Sequence, residues 1–330
     1  MLTVAMLINV VLAAAALGCS SSQGLIAFSS DRDGNREVYT VDPATGDERN
    51  LTHSKGDEFA PTLSPDGKLV AFLSSSGEDV GIEVIEASGE VLTRQPISTE
   101  PGRYGSQQWA PDSNRLAVIF AEIGVRQGGV YIVGIESKPF LRLTKIRADE
   151  VSDWSPDGKK VVFSVKQGEN QGVYTRNPDG VNEIQVTETP DYAPIWSPDS
   201  ERFAFISVRD GNPEIYVMNV DGTAQRRLTE TDAPEYDLSW SPKGKFLLFV
   251  SGIGSDAEIY KMDIDSAGQQ RLTKNKVRDN QPVWSPNGKQ IAFVSYLDGN
   301  GEIFLMGSDG GEQTRLTNNA GDDISPSWSR

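Results

Sequence analysis

One six-residue motif returns seven times, in full or in part, along the 330-residue chain. Its fullest form is Trp154-Ser155-Pro156-Asp157-Gly158-Lys159, and the intervals between successive copies are 42 to 46 residues. The other copies begin at Leu63, Trp109, Trp196, Trp240, Trp284 and Trp328. A repeat of roughly 40 to 50 residues is typical of a β-propeller, in which each repeat forms a four-stranded blade. Although length alone suggests two domains, the repeat predicts a single domain over residues 24–330.

Each repeat contains signals for four short strands. A Pro-Asp-Gly turn is followed by an apolar strand such as Ile291-Ala292-Phe293, then by a glycine hairpin such as Asp298-Gly299-Asn300. A third strand such as Glu302-Ile303-Phe304 follows, and the fourth ends in Leu316-Thr317. No segment has sustained helical periodicity. The sequence predicts an all-β, seven-bladed propeller of four-stranded blades.

The two ends of the repeat region are complementary. The region begins with the second strand type of a blade, near Leu25, and ends with the first strand type at Trp328. We therefore predict that the C-terminal strand, 324–329, completes the N-terminal blade and closes the ring. Closure removes the free sheet edges that favour aggregation.

These motifs together resemble the TolB-type propeller repeat, which is related to WD repeats. The resemblance rests on "SPDGK", on the "IAF.S..DGN.EIY" pattern and on the terminal "LT", and it covers nearly all of residues 24–330. It implies a protein-binding propeller, because the propeller of a periplasmic family member binds a peptidoglycan-associated lipoprotein. The chain resembles a propeller-only form, without the N-terminal α/β domain of that family member.

The first eighteen residues are uncharged and apolar, and they precede Cys19, the single cysteine of the chain. An apolar stretch that ends in small residues is typical of a secretory signal. Ala16-Leu17-Gly18-Cys19 resembles the lipobox of bacterial lipoproteins. We predict a signal peptide over 1–18, lipidation at Cys19, a short tether over 19–23, and export to the cell envelope. An ordinary cleaved signal or an uncleaved membrane anchor are the alternatives.

Composition excludes several function classes. The net charge of −16 argues against nucleic acid as a partner. One cysteine and one histidine (His53) exclude a disulfide framework and metal sites that need several such ligands. The chain has no G-x-S-x-G or H-E-x-x-H motif. We therefore expect no cofactor, no metal and no catalytic residue.

One repeat position carries an acidic residue in six of the seven units. It lies five residues before each motif, at Glu58, Tyr104, Asp149, Asp191, Glu235, Asp279 and Asp323. The position opens the innermost strand, so these side chains are predicted to ring one mouth of the central channel. Either neighbouring turns supply compensating hydrogen bonds, or the ring binds a cation or a basic partner. Tyrosine and arginine residues lie beside it and could frame a recognition surface: Arg103, Tyr192, Tyr236 and Arg278.

The sequence thus predicts a monomeric, lipid-anchored, non-catalytic scaffold that binds envelope proteins. A carbohydrate-active enzyme using the acidic ring is the first alternative. A small-ligand or metal sensor is a further alternative.

Overall fold

The computed structural model describes residues 24–77, 79–89, 95–96, 102–122, 128–135, 140–144, 150–165 and 169–329. Residues 1–23, with Cys19, and Asp149 lie outside this part, so the leader and the lipid attachment stay predictions. In the described part, no helix is long and apolar enough to cross a membrane.

The described residues form 28 strands and one short 3-10 turn at Gly254–Asp256. In chain order the strands are β1 Ile26–Ser30, β2 Glu37–Val41, β3 Glu48–Asn50, β4 Glu58–Leu63, β5 Leu69–Ser76, β6 Asp79–Glu86, β7 Gln95–Pro96, β8 Gly102–Trp109, β9 Arg115–Glu122, β10 Gly129–Gly134, β11 Phe140–Arg142, β12 Glu150–Trp154, β13 Val161–Val165, β14 Gly172–Arg176, β15 Ile184–Gln185, β16 Asp191–Trp196, β17 Arg202–Ser207, β18 Glu214–Asn219, β19 Arg226–Arg227, β20 Glu235–Trp240, β21 Phe246–Ser251, β22 Glu258–Asp263, β23 Gln269–Arg271, β24 Asp279–Trp284, β25 Gln290–Ser295, β26 Glu302–Gly307, β27 Thr314–Arg315 and β28 Asp323–Trp328.

The strands group into antiparallel units of four, numbered here as blades 1 to 7. Blade 1 has the order β28-β1-β2-β3, and blades 4 to 7 are β12–β15, β16–β19, β20–β23 and β24–β27. Blades 2 (β4–β7) and 3 (β8–β11) belong to one eight-stranded sheet because Val80 and Arg103 form a parallel bridge. The innermost strands contact one another in a cycle, from β28 through β4, β8, β12, β16, β20 and β24 back to β28. The predicted all-β propeller is confirmed.

The chain ends meet within blade 1. Strand β28 pairs antiparallel with β1, with Ile26 opposite Trp328 and Ser30 opposite Asp323. The C-terminal strand therefore completes the N-terminal blade, as the complementary ends predicted.

Aromatic side chains of the repeat fill the space between blades. The second strand of six blades contributes a phenylalanine that is at most 1% exposed: Phe28, Phe72, Phe163, Phe205, Phe249 and Phe293. Four motif tryptophans, at positions 109, 154, 240 and 284, link neighbouring blades by donating Nε1–H to a carbonyl of the preceding innermost strand. Trp240 bonds to Ile195 at 3.2 Å, and Trp284 bonds to Ser239 at 3.2 Å. The repeated residues are therefore the packing surface of the ring.

The Ser-Pro-Asp-Gly segment is a self-contained turn. Ser155 Oγ donates to Asp157 Oδ1 at 2.7 Å, and the Gly158 N–H donates to the Ser155 carbonyl at 2.8 Å. Gly158 has a φ of 73°, which glycine adopts without steric penalty. The motif recurs because each blade needs this turn between its first two strands.

Every fully described innermost strand that starts with a carboxylate contains a bulge two residues later. The residue there has a positive φ although it is not glycine: Ala60, Ala193, Asp237, Gln281 and Ser325, at 48° to 58°. The pairing with the second strand shifts register at the same place, for example between Tyr236 and Ser239. Such bulges bend a strand and redirect its side chains. The motif spacing did not predict them.

Candidate functional site

The predicted acidic ring is buried. Glu58, Asp191, Glu235, Asp279 and Asp323 begin their innermost strands as expected, but each is at most 1% exposed. Tyr104, at the same repeat position in blade 3, is 5% exposed. Burial agrees with compensation by neighbouring turns, which is one of the two alternatives that the sequence leaves open, and the place of these side chains at the channel mouth stays a prediction. Their role in binding stays a prediction.

The loop before each strand encloses its carboxylate. In four blades the residue four positions earlier donates a hydrogen bond to it. Thr231 Oγ bonds to Glu235 at 2.6 Å, and Asn275 Nδ2 bonds to Asp279 at 2.7 Å. Ser54 Oγ donates to Glu58 at 2.5 Å, and Asn319 Nδ2 donates to Asp323 at 2.6 Å. These bonds supply the compensation that like charges in a ring require.

Two of the carboxylates also have an arginine partner. Asp191 accepts from Arg209 Nη2 at 2.7 Å, and Asp323 accepts from Arg32 Nη2 at 2.8 Å. Each arginine comes from the hairpin after the second strand and lies over an aromatic ring of its own blade. The guanidinium carbon of Arg32 is 4.4 Å from the ring centre of Tyr39. These pairs tie a hairpin to the innermost strand.

At the start of β20 the ring carboxylate, Glu235, lies near a second buried carboxylate, Glu214. Glu214, the first residue of β18, accepts from Arg227 Nη2 at 2.8 Å and from the Thr231 N–H at 3.0 Å. Thr229 Oγ donates to Glu235 Oε2 at 3.2 Å, and Glu214 Oε2 has no hydrogen-bond partner. Burial, reinforced by the charge of Glu214, raises the pKa of Glu235 to about 7. The pair therefore holds one proton near neutral pH.

The charge of the pair resides on Glu214. Burial opposes ionisation there, but hydrogen bonds from the Thr231 N–H and from Arg227 help to hold the pKa of Glu214 below its ordinary value. Glu258 and Glu302 occupy the same position in blades 6 and 7, and burial raises the pKa of Asp279 and Asp323. This network joins the third strand of one blade to the first strand of the next.

A group of side chains with exposed Arg278 at its centre lies where β20 and β24 begin. The guanidinium carbon of Arg278 is 5.6 Å from the ring centre of Tyr296. The Arg278 carbonyl accepts from the Tyr296 N–H at 3.0 Å. With its amide oriented so that the oxygen faces Arg278, Asn280 accepts from Nη2 at 2.9 Å and from Nε at 3.1 Å. Burial raises the pKa of Tyr236, and the nearby charge of Arg278 opposes that effect. We call Tyr236, Arg278, Asn280 and Tyr296 the Tyr–Arg cluster.

The bulges beside this cluster connect three innermost strands. Asp237 Oδ2 accepts from the Gln281 N–H at 3.0 Å, and Gln281 Oε1 accepts from the Ser325 N–H at 2.8 Å. Asp237 reaches solvent, yet the surrounding protein atoms desolvate it and raise its pKa. The cluster is therefore held on a hydrogen-bonded base.

The structure unites only some of the predicted recognition residues. Tyr236 and Arg278 meet in the cluster, whereas Tyr192 lies on β16 in blade 5 and exposed Arg103 lies on β8 in blade 3. Tyr296 and Asn280 were not predicted, because Tyr296 comes from a hairpin that is distant in sequence. Across the described ranges, no three His, Cys, Asp or Glu residues are grouped so that they could hold a metal ion.

Sequence comparison identifies the repeat. The family model described as "TolB beta propeller domain" matches residues 181–295. The Tol-Pal system protein TolB of Francisella tularensis subsp. tularensis (strain WY96-3418) is 28% identical over 152 residues, which is 44% of this chain and 34% of that protein. A TolB homolog of Chlorobium chlorochromatii is 28% identical over 139 residues, which is 42% of this chain and 30% of that protein. The matched region thus spans about a third of these curated relatives.

Solved structures with the same architecture cover most of the chain. TolB from Acinetobacter baumannii matches with a TM-score of 0.63 and 19% identity, over 93% of this chain and 66% of that chain. The propeller domain of a Pyrococcus furiosus protease matches with a TM-score of 0.70 and 18% identity, over 89% and 95%. An oligogalacturonate lyase from Vibrio parahaemolyticus matches with a TM-score of 0.67 and 20% identity, over 85% of each chain. At these identities the likeness concerns the fold. The chain is therefore a β-propeller whose repeats are similar to those of TolB.

Proposed function

We propose that this protein is a non-catalytic scaffold of the bacterial cell envelope that binds a protein partner through the Tyr–Arg cluster. The observation that carries the proposal is the arrangement of Arg278 between Tyr236 and Tyr296 on the rim of the ring. Tyrosine and arginine are the residues that most often dominate the energy of protein interfaces. They combine a large contact area with directional hydrogen bonds.

The base of the cluster is pre-organised. Asn280 is buried and fixes the guanidinium of Arg278, while the chain of bonds from Asp237 to Ser325 fixes the strands below it. Side chains that are already ordered lose less conformational entropy when a partner binds. A rigid ring that carries an ordered cluster is therefore suited to binding a folded surface.

The names of the curated relatives support the class of partner. The Francisella tularensis relative is named a Tol-Pal system protein, so an envelope protein such as a peptidoglycan-associated lipoprotein is the first partner to test. Export, lipidation at Cys19 and a monomeric propeller belong to the same proposal.

The test measures binding of the purified full chain to the peptidoglycan-associated lipoprotein of the same organism. We expect Arg278→Ala to weaken binding at least tenfold, because the guanidinium and its stacking contact are both lost. Lys243→Ala is the matched control, since Lys243 is exposed in the turn between β20 and β21 at the opposite end of the blade. Equal binding by wild type and Arg278→Ala would refute the role of the cluster.

The likeness to an oligogalacturonate lyase supplies an enzymatic control. The same preparation is assayed with oligogalacturonate, with and without Mn²⁺. Among the described residues of the cluster and its base, Asp237 is the one carboxylate that reaches solvent. Turnover that disappears in Asp237→Asn would overturn the scaffold proposal, and absence of turnover in every preparation agrees with it.

A further inference from the structure

Two large aliphatic side chains are exposed on the face that carries the Tyr–Arg cluster. Ile253 is 73% exposed and Leu297 is 54% exposed. They occupy the same repeat position, 44 residues apart, in the hairpins between the second and third strands of blades 6 and 7. Neighbouring exposed aliphatic residues are a recognised mark of interaction sites.

The same repeat position has a structural role in other blades. Arg32 in blade 1 and Arg209 in blade 5 stand there, and each pairs with a buried ring carboxylate. Ile253 and Leu297 cannot make this bond, and the corresponding carboxylates, Glu235 and Asp279, are bonded by their own loops instead. Folding of blades 6 and 7 therefore gives no reason for two aliphatic side chains in solvent.

A basic loop lies between the two hairpins. Residues 274–278 connect blade 6 to blade 7. The Asp279 N–H bonds to the Ala257 carbonyl at 2.9 Å on one side of this loop, and the Tyr296 N–H bonds to the Arg278 carbonyl at 3.0 Å on the other. The loop contributes three exposed cations: Lys274, Lys276 and Arg278.

These cations form no ion pair within the described structure, although the charge of Arg278 acts on the nearby carboxylate of Asp237. Arg227, Arg271 and Arg315, which end the outer strands on the same face, each pair with a buried glutamate. No described carboxylate forms an ion pair with the three cations of the 274–278 loop. In a chain with a net charge of −16, the loop is a local site of unpaired positive charge.

We infer that loop 274–278, with Ile253 and Leu297 on either side, docks an acidic segment of the partner protein that carries apolar anchor side chains. This inference rests on the proposed function, and it assigns a sector of the ring and a partner chemistry to it. Carboxylates of the segment pair with the three cations, while its apolar side chains cover the two aliphatic residues. A protein segment is favoured over an anionic membrane surface, because the overall negative charge repels such a surface.

The experiment places a photo-crosslinking amino acid at Ile253 or at Leu297 in the full chain, in cells of the source organism. Matched control sites are Val181 and Ile184, which are 51% and 49% exposed in blade 4. A second series combines the Leu297 crosslinker with Lys274→Glu and Lys276→Glu. Its control carries Lys243→Glu and Lys289→Glu, which change the net charge equally in turns at the opposite ends of the blades.

We expect an adduct at positions 253 and 297 whose crosslinked partner peptide is net acidic. Its yield should fall at least fivefold with Lys274→Glu and Lys276→Glu, and stay within twofold of wild type with the control pair. The wild-type yield should also fall in high salt, because exposed charges are screened.

Each other outcome overturns a defined step. Adducts at positions 181 and 184 alone would agree with a scaffold that binds a protein. They would refute docking at loop 274–278. A basic crosslinked peptide, a lipid adduct or an adduct with a second copy of the chain would refute the acidic partner segment. Absence of protein adducts at all four positions would refute the proposed function itself.

Discussion

Replacing Glu235 by glutamine should increase stability at neutral pH. Glu235 is 1% exposed and faces Glu214, whose Oε2 has no hydrogen-bond partner. In Glu235→Gln the side chain is neutral at every pH, and its amide can donate to that oxygen. Repulsion between two buried carboxylates is thereby removed.

The magnitude follows from the pKa shift of Glu235. Folding raises the pKa from an ordinary value of 4.5 to about 7. At pH values below 4.5, Glu235 is protonated in both the folded and the unfolded protein. As the pH rises through the interval up to 7, the unfolded chain ionises while the folded chain keeps the proton, so stability declines. At 1.36 kcal/mol per pKa unit the decline is about 3 kcal/mol. The pKa of Glu214 is lowered, so its effect on stability changes only at pH values below its ordinary pKa. Those values lie outside the interval in which Glu235 acts.

The matched control is Asp191→Asn, the same change at the same repeat position of blade 5. There β14 begins with Gly172 in place of a glutamate, and Asp191 is bonded to Arg209 at 2.7 Å. Removing the charge breaks that ion pair, so Asp191→Asn should destabilise the fold by about 2 kcal/mol at neutral pH. Equivalent substitutions in two blades should therefore have opposite signs.

The assay is denaturant unfolding of wild type and both variants between pH 5 and 8. The free energy of unfolding of Glu235→Gln should match that of wild type at pH 5 and exceed it by up to about 3 kcal/mol at pH 8. A difference that does not change with pH, or a loss of stability in both variants at pH 8, would refute the reasoning about the carboxylate pair.

Three further substitutions test the ring. Arg32→Met removes the partner of buried Asp323 at the closure of the ring. It should lower the free energy of unfolding by about 3 kcal/mol at neutral pH and by less in acid. A loss below about 1 kcal/mol in denaturant unfolding would contradict the role of this ion pair in closure. Phe293→Ala leaves a cavity between blades and should lower that free energy by about 3 to 5 kcal/mol; an unchanged thermal midpoint would argue against tight packing there. Thr317→Val removes the hydroxyl that bonds to Glu302 at 2.6 Å and should cost about 2 kcal/mol, and a neutral effect in the same measurement would show that the hydroxyl is dispensable.

Most of the fold could be predicted from the repeat. Its period and its Pro-Asp-Gly turns identified four strands per unit, because turn residues and apolar runs are local signals. The ends at Leu25 and Trp328 identified the closing strand, which β28 confirms. The bulges at Asp237 and its equivalents were not predicted, since no glycine marks the residues that adopt the positive φ.

The candidate site was predicted less completely. Spacing identified the acidic position, but it could not tell whether a loop covers the side chain, and in the structure Asn275 and Thr231 do so. Arg278 and Tyr236 were predicted as recognition residues because arginine and tyrosine are common at protein interfaces. The contact of Arg278 with Tyr296 depends on the pairing of β24 with β25, in which Asp279 lies opposite Ser295.

The amino-acid sequence by itself determined the strand order, the turns, the closure and the identity of the packing residues, because these depend on local patterns repeated along the chain. Only the tertiary structure decided which charges are neutralised. Asp191 and Asp323 are held by arginines, burial beside Glu214 raises the pKa of Glu235, and the cations of loop 274–278 have no ion-pair partner among the described residues. The physical reason is that the charge state of a group depends on its neighbours in space, and in this ring the arginine partners of Asp191 and Asp323 lie 18 and 291 residues away in the sequence.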